Sequence, residues 1–386
     1  MIVGVPKEIK ANEKRVSSTP DTVKRIIADG FKIQVEKNAG AGSFIKDSEY
    51  ERAGAKIVDD PEKLYSTSDV IVHVKEPLFN KEKNKHELDM MRGGTYLITF
   101  LHPSNPAHHS FVEKMAKNGI IGITMDSVPR ITRAQAMDPL TSMSTVSGYK
   151  SVLIAASILP KFFPMLTTPV GVIRPANVLV LGVGVVGLQA LATAKRLGAV
   201  VHALDIRKEA RDQAKSLGAK VVDFTPPEEL TTGEGGYAKR LPEEWYEKEK
   251  KVISSMFNDV DVIVSSPLIM GEEAPVLITR DMVKQMKPGS VIVDVSIDQG
   301  GTCELTKAGE TVELNDVSIV GTANIPGSVQ IDSTRMYSEN VYAFLKHISR
   351  SGEIKLDLND EIVRQCLVSM DGKIVHEGTL RAMGKL

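Results

Sequence analysis

Three glycines and an acid carry the first recognisable chemistry in this sequence. In "NVLVLGVGVVGLQALATAKRLGAVVHALDIR", Gly182, Gly184 and Gly187 follow an apolar, β-branched run and open a helical pattern. Asp205 ends the next apolar run, at the distance of about 20 residues that a dinucleotide-binding fingerprint requires. Each position answers a separate physical demand. Gly182 permits a tight turn, Gly184 lets a pyrophosphate approach the backbone, and Gly187 lets helix and strand pack closely. Val185 and Val186 then stand at a helix N-terminus, whose free N–H groups and dipole favour phosphate. Asp205 would accept hydrogen bonds from the adenosine ribose hydroxyls and repel a 2′-phosphate, which favours NAD(H). Ile206 and Arg207 follow it, and the arginine tempers that preference, since a guanidinium can hold a 2′-phosphate.

A second set sits at the ends of other apolar runs. Lys75 ends "DVIVHVK", His102 follows "TYLITFL", Arg15 lies in the stretch after "MIVGVP", and Asp298 follows "SVIVDVS". Read alone, Lys75 is a solvated strand end. In an open α/β sheet, however, ligands bind beyond the carboxyl ends of the strands. Lys75, Arg15 and His102 could therefore converge on a carboxylate, and a histidine there can exchange protons near neutral pH. Asp298 has turn formation or capping as its ordinary alternative. Asp294, inside its strand, reads as structural, and His108 and His109 read as surface residues.

These residues need strand ends and helix starts to hold them, and the sequence supplies both. "MIVGVP", "FKIQVEK", "AKIVD", "DVIVHV", "TYLITFL" and "IIGITMD" read as strands, with helical segments such as "PDTVKRIIADG" between them. A second series follows: "NVLVLG", "VVHALD", "KVVDF", "VDVIVSS", "SVIVDVS" and "VSIVGT". This alternation predicts an α/β chain of two Rossmann-like, doubly wound parallel-sheet domains with a cleft between them. Two long helical stretches, "AQAMDPLTSMSTVSGYKSVLIAASILPKFF" and "VQIDSTRMYSENVYAFLKHIS", are expected to join them. The domains are expected at 1–137 with 328–386, and at 138–327 with a long mobile loop near 226–242. The run "PEEWYEKEKK" reads as a solvated helix face.

The bulk numbers fit this outline. The 386 residues exceed one ordinary core, and 48 basic against 49 acidic side chains leave no basic excess for nucleic acid or an anionic membrane. The two cysteines, Cys303 and Cys366, have no metal-ligand spacing, so no metal site is expected and a reducing cytoplasm fits. No secretory leader is evident, and the longest apolar stretches are too short to span a bilayer. Phosphate-loop, zinc-protease and serine-hydrolase motifs are absent.

Taken together, the motifs resemble alanine dehydrogenase and the NAD(H)-binding alpha subunit of proton-translocating transhydrogenase, over nearly the whole chain. "VPKEIKANEKRVSSTP" is similar to their shared N-terminal signature. "MDSVPRITRAQAMDPLTSMSTVSGYK" resembles the transhydrogenase interdomain segment, whose loop carries Arg130, Gln135 and Asp138 and orders the nicotinamide. "GGYAKRL", with Gly236 and Tyr237, resembles that family's mobile loop, and "LDLNDEIVRQCLVSMDGKIVHEG" its C-terminal end. The catalytic positions resemble alanine dehydrogenase instead. There an arginine, a "VKEP" lysine and a histidine handle the substrate, and an "IDQGG" aspartate helps with water or the amine. The matches are Arg15, Lys75, His102 and Asp298, with Asn324 in "ANIPGSV" as a further cofactor position. Transhydrogenase alpha subunits usually lack the lysine, histidine and aspartate.

The resemblance implies an NAD-dependent hydride-transfer enzyme, and whole-chain similarity ranks the transhydrogenase subunit first. Its partners would be NADP-binding and membrane subunits. The alternative is a self-contained dehydrogenase acting on an amino acid or 2-oxo acid. Either would be a homo-oligomer, at least a dimer, in the cytoplasm or peripheral to a membrane through a partner.

Overall fold

The computed structural model describes residues 1–233, 238–269 and 273–386. The chain divides into two compact units, Met1–Met143 with Gly327–Leu386, and Ser144–Pro326. In chain order the sheet strands are β1 (Ile2–Val5), β2 (Lys32–Glu36), β3 (Lys56–Val58), β4 (Val70–Val72), β5 (Tyr96–Thr99), β6 (Ile121–Thr124), β7 (Asn177–Leu181), β8 (Val200–Leu204), β9 (Lys220–Val221), β10 (Val262–Ser265), β11 (Val291–Asp294), β12 (Thr311–Leu314), β13 (Val317–Val320), β14 (Leu367–Met370) and β15 (Lys373–Ile374). Each apolar run singled out in the sequence forms one of them.

In the first unit the order is β15-β14-β6-β5-β4-β1-β2-β3. β1 to β6 run parallel, and the C-terminal tail adds β14 and β15 antiparallel at the edge. The order reverses between β1 and β4, so the loops after these two strands flank a topological switch point, where open sheets bind ligands. The second unit repeats the plan as β9-β8-β7-β10-β11-β13-β12, parallel except for β12, with its switch point between β7 and β10.

Both sheets are covered on both faces, which is why their strands read as unbroken apolar runs. Along β7, Val178 and Val180 join one buried cluster while Leu179 and Leu181 join another. Along β4, Val70 and Val72 enter one cluster and Ile71 the opposite one.

The long helix Pro139–Ile158 contains the first division between units. The second long helix does not bridge. Gln330–His347 lies wholly in the first unit, with Tyr337, Val341, Phe344 and Leu345 in its core, and the chain returns ahead of it at 326–327. Its apolar stripe has ordinary helical spacing, which says that it packs on a sheet but not on which one.

Candidate functional site

The second unit builds a dinucleotide cradle at its switch point. Gly182 has φ +77°, and a Cβ there would come within 2.8 Å of the Pro267 backbone nitrogen just after β10. A Cβ on Gly187 would stand 2.1 Å from the Gly182 carbonyl oxygen, so helix Val185–Arg196 packs on the turn only because glycine is there. Gly184 differs: the nearest atom to its Cβ position is the Arg207 guanidinium at 4.0 Å, which leaves open space on that side. Gly184 is also the N-cap and makes no side-chain capping bond, so Val185 and Val186 open the helix with no side-chain acceptor supplied by the cap. The residues therefore fit a pyrophosphate held on backbone N–H groups.

Asp205 is 5% exposed and heavily engaged. Its Oδ2 accepts from the Val183 N–H at 2.6 Å and from Arg207 Nη2 at 2.8 Å; its Oδ1 accepts from the Arg207 N–H at 2.8 Å and Nε at 3.0 Å. The acid thus fixes the glycine turn. The Ile206 carbonyl accepts from Arg211 at 2.6 Å, which pins the end of β8.

The segment after this strand departs from expectation. "PEEWYEKEKK" is not solvated all round: helix Glu243–Ser254 buries Tyr246, Glu249 and Ile253. Burial and the neighbouring charge of Asp205 push the Glu249 carboxyl up to about 8. The four-residue helix Glu228–Thr231 and a bridge between Thr232 and Ala238 lie within the stretch near 226–242 expected to be mobile. Gly236 and Tyr237 lie outside the described residues. Asn324 is half-buried with φ +51°. Asp298 is exposed on the short 3-10 helix Val295–Gln299, whereas Asp294 is fully buried and structural. Asp294 accepts from the N–H groups of Ser296, Thr302 and Cys303 and from the Thr306 hydroxyl.

The first unit gathers Arg15, Lys75 and His102 near its own switch point. Arg15 is not available as a simple carboxylate clamp. It is 2% exposed, with Nε 2.7 Å and Nη2 2.6 Å from the two oxygens of Glu13, and Nη1 donates to the Met143 sulfur. Lys75 is half-buried, and among the described residues no hydrogen bond or ion pair is found for its amine. Burial, together with the charges of Arg15 and Lys10, holds that amine below the ordinary lysine range. The nearby acids are already taken: Glu13 by Arg15, and Glu76 by Lys10 at 2.6 Å. Glu76 keeps one buried oxygen without a hydrogen-bond partner among the described residues.

His102 has φ +45°, an uncommon backbone for a side-chain-bearing residue, and Asp126 holds it there. Asp126 Oδ2 accepts from the Leu101 and His102 N–H groups at 2.9 and 2.7 Å. Its Oδ1 lies 2.8 Å from His102 Nδ1, an ion-pair contact. This is the carboxylate–imidazole pairing that orients a proton-exchanging histidine. Burial works against charge on the ring, and Asp126 outweighs it, so His102 titrates above the usual histidine range. In Asp126→Asn the ring loses its main counter-charge while burial and the Lys75 charge still oppose protonation, and the His102 ring signal in an NMR titration is expected to move to lower pH. An unchanged midpoint would refute the pairing. His108, expected at the surface, is half-buried, meets the His102 ring edge-on at 5.8 Å, and lies with Nδ1 3.1 Å from the Leu101 carbonyl. His109 is half-buried too, with a buried Nε2 that has no hydrogen-bond partner among the described residues.

The loop with Arg130, Gln135 and Asp138 is clamped rather than loose. Arg133 makes a two-pronged contact with Asp360, and the Asn340 amide donates to the Ala136 carbonyl at 2.9 Å. Arg130 and Gln135 are exposed, while Asp138 is buried and caps helix Pro139–Ile158 through Thr141, so its carboxylate has a structural task.

Beneath β4 and β1 lies a buried polar network that sequence reasoning missed. His73 is 1% exposed, with Nδ1 2.9 Å from Glu8, Nε2 2.6 Å from the Tyr65 hydroxyl, and Glu87 at 4.0 Å. Burial opposes charge on this ring, but Glu8, Glu87 and Glu36 raise it to about 9. Burial also raises Glu36 to about 7, against the Lys7 N–H. Both shifts act in one direction on stability. The His73 contribution is complete below the histidine reference and is lost as pH rises through about 9; the protonated Glu36 likewise favours the fold only until about 7. Stability should therefore fall by several kcal/mol between pH 5 and 9. Denaturant titrations across that range test this, and Glu36→Gln should flatten its lower half. A stability that rises with pH would contradict it.

Two family models match the chain: the N-terminal domain of alanine dehydrogenase/PNT matches residues 4–147, and the C-terminal domain matches 151–377. The chain is 39% identical over 380 residues to an NAD(P) transhydrogenase subunit alpha protein of Rhodospirillum rubrum, covering 97% of this chain and 98% of that protein. It is 33% identical over 393 residues to alanine dehydrogenase of Methanococcus maripaludis, covering 99% and 96%. A crystal structure of transhydrogenase from Sinorhizobium meliloti superposes with a TM-score of 0.85 at 35% identity, over 97% of this chain and all of that one. The chain belongs to the alanine dehydrogenase/PNT family.

Proposed function

We propose that this chain is the NAD(H)-binding subunit of an NAD(P) transhydrogenase and exchanges a hydride between its own nucleotide and one held by a partner subunit. The observation that carries the reading is the cradle at Gly182, Gly184, Gly187 and Asp205, in a chain similar to transhydrogenase subunits over almost its whole length. When bound, the dinucleotide supplies the nicotinamide that carries the hydride. The chain's own part is to hold it: Val185 and Val186 N–H groups toward the phosphates, Asp205 toward the adenosine ribose. Arg130, Gln135, Asp138, Asn324, Gly236 and Tyr237 are proposed to order the nucleotide further. Among the described residues no helix is long and apolar enough to cross a membrane, so proton translocation would depend on partner subunits. Titration with NADH and with NADPH, followed by nucleotide fluorescence, tests the cofactor: tighter NADH binding supports the site, and preference for NADPH sinks it.

A second reading has its own observation. Lys75, with no partner found for its amine among the described residues, stands in the same sheet-end cluster as the Asp126-paired His102. That set suits an amino acid or 2-oxo acid, Lys75 binding its carboxylate or carbonyl and His102 exchanging a proton. Asp298 and Arg15 would assist. Incubation with NAD+ and a panel of L-amino acids tests it. NADH formation that disappears in Lys75→Ala and His102→Ala supports the reading, and no turnover with any amino acid removes it.

A further inference from the structure

Parallel pairing of β4 ends at Val72; the His73 N–H still donates to the Ile98 carbonyl of β5 at 3.0 Å, and beyond it Val74 and Lys75 lie in the protein interior or at its edge without a sheet ladder. Buried backbone polar groups there must find side-chain partners or leave a desolvation penalty. They find an unusual number of them. The Val72 carbonyl accepts from the Ser17 hydroxyl at 2.6 Å, and the His73 carbonyl from the Tyr337 hydroxyl at 2.7 Å. Glu8 receives the Val74 N–H at 2.6 Å on one oxygen and the Lys75 N–H at 3.2 Å on the other. The Lys75 carbonyl accepts from the Thr99 hydroxyl at 2.9 Å. These partners come from separate parts of the unit: the loop after β1, the end of β5, and helix Gln330–His347.

We infer that Glu8, supported by His73 and by Tyr337, is a positioning residue for Lys75, fixing the backbone from which the lysine amine is presented to a small anionic or carbonyl substrate. The inference rests on the second reading of Lys75 given above and deepens it. Glu8 is well suited to the task. Its carboxylate is nearly enclosed, at 4% side-chain exposure, and takes His73 Nδ1 as well as the two N–H groups. His73 is in turn fixed through Tyr65, so neither acid nor ring can turn without stranding a buried donor. The lysine side chain is the contrast. Its backbone is tied on both sides, its neighbours Glu13 and Glu76 are committed to Arg15 and Lys10, and its amine has no partner found among the described residues. A loop that needed only structural satisfaction could end in solvent. This one commits buried side chains from three parts of the fold to the residues that carry an amine with no partner among the described residues, the pattern of a reactive group preorganised by its supporting shell.

The test reads Lys75 directly and needs no catalytic turnover. Competitive acylation of the full chain with trace acetic anhydride across pH, resolved by peptide mass spectrometry, gives the titration midpoint and reactivity of each lysine. In the native chain Lys75 should titrate below the other lysines. In Glu8→Ala the freed loop should let water reach the amine, and the Lys75 midpoint should rise by about one unit or more while surface lysines keep theirs. Glu8→Gln, which keeps an acceptor oxygen without the charge, should fall between. His73→Asn retains a donor at the Nδ1 position and should resemble the native chain, whereas His73→Leu should not. Should Glu8→Ala fail to fold, Tyr337→Phe decides, since it removes one hydroxyl and should shift Lys75 alone. Unchanged Lys75 titration in folded Glu8→Ala, or in Tyr337→Phe in its place, overturns the inference. The two readings fail separately. Lys75 that responds to Glu8 in a chain that oxidises no amino acid keeps the positioning and loses the substrate. Amino acid oxidation with an indifferent Lys75 does the reverse.

Discussion

Gly187→Ala should abolish useful nucleotide binding while leaving the first unit folded. The added methyl would sit 2.1 Å from the Gly182 carbonyl oxygen and 3.2 Å from a Val180 methyl. The first distance is far inside contact, and the clashing atom is backbone, so no rotamer change relieves it. Either helix Val185–Arg196 lifts from β7 or the turn at Gly182 opens. The turn has little freedom, because a Cβ-sized approach to Pro267 already limits Gly182 and Asp205 holds Val183 at 2.6 Å. Either movement displaces the Val185 and Val186 N–H groups from a common phosphate. We expect NADH affinity to fall at least about a hundredfold, roughly 3 kcal/mol, by fluorescence titration. Gly184→Ala provides the contrast: with nothing nearer to the added methyl than the Arg207 guanidinium at 4.0 Å, it should fold normally and lose affinity only when the pyrophosphate is present to meet the methyl. Equal NADH affinity in Gly187→Ala and the native chain would mean that the nucleotide binds elsewhere.

Glu13→Gln should destabilise the first unit by about 3–5 kcal/mol. Arg15 and Glu13 form a bidentate pair with side chains 1% and 0% exposed. Burial alone would raise the acid, but Arg15 outweighs it, and the Glu13 carboxyl lies below its ordinary range. The glutamine keeps the shape and the acceptor for the Arg15 N–H at 2.9 Å, but it leaves the guanidinium charge without its counterion. The loss should lower the thermal midpoint by roughly 10 °C. Replacing both partners, Glu13→Leu with Arg15→Met, removes the stranded charge and should recover much of that loss. A glutamine variant as stable as the native chain would show that water or a nearby anion compensates Arg15.

Much of this architecture was legible from residue types. Buried parallel strands are apolar throughout, so "DVIVHV" and "NVLVLG" announced themselves, and the GxGxxG glycines met steric demands that the structure reproduces at Gly182 and Gly187. The site in the first unit was legible only as a set of strand ends. Its chemistry depends on contacts across long sequence distances: Glu8 to His73, and His102 to Asp126. No periodicity encodes such pairs. Arg15 shows the limit most clearly, because the acid that binds its guanidinium lies two residues away and either residue could equally have faced solvent. Glu249 shows it from the other side: a charged run on a helix does not reveal which member turns inward.

Where the hydride goes separates the two readings of this chain. The most direct measurement is hydride transfer from NADH to an NADP analogue after mixing the purified chain with the NADP-binding subunit of a transhydrogenase. Transfer is expected to require both proteins and to be lost in Gly187→Ala. NADH formation from an amino acid by this chain alone, with no transfer to the NADP analogue in the mixture, would contradict the transhydrogenase assignment.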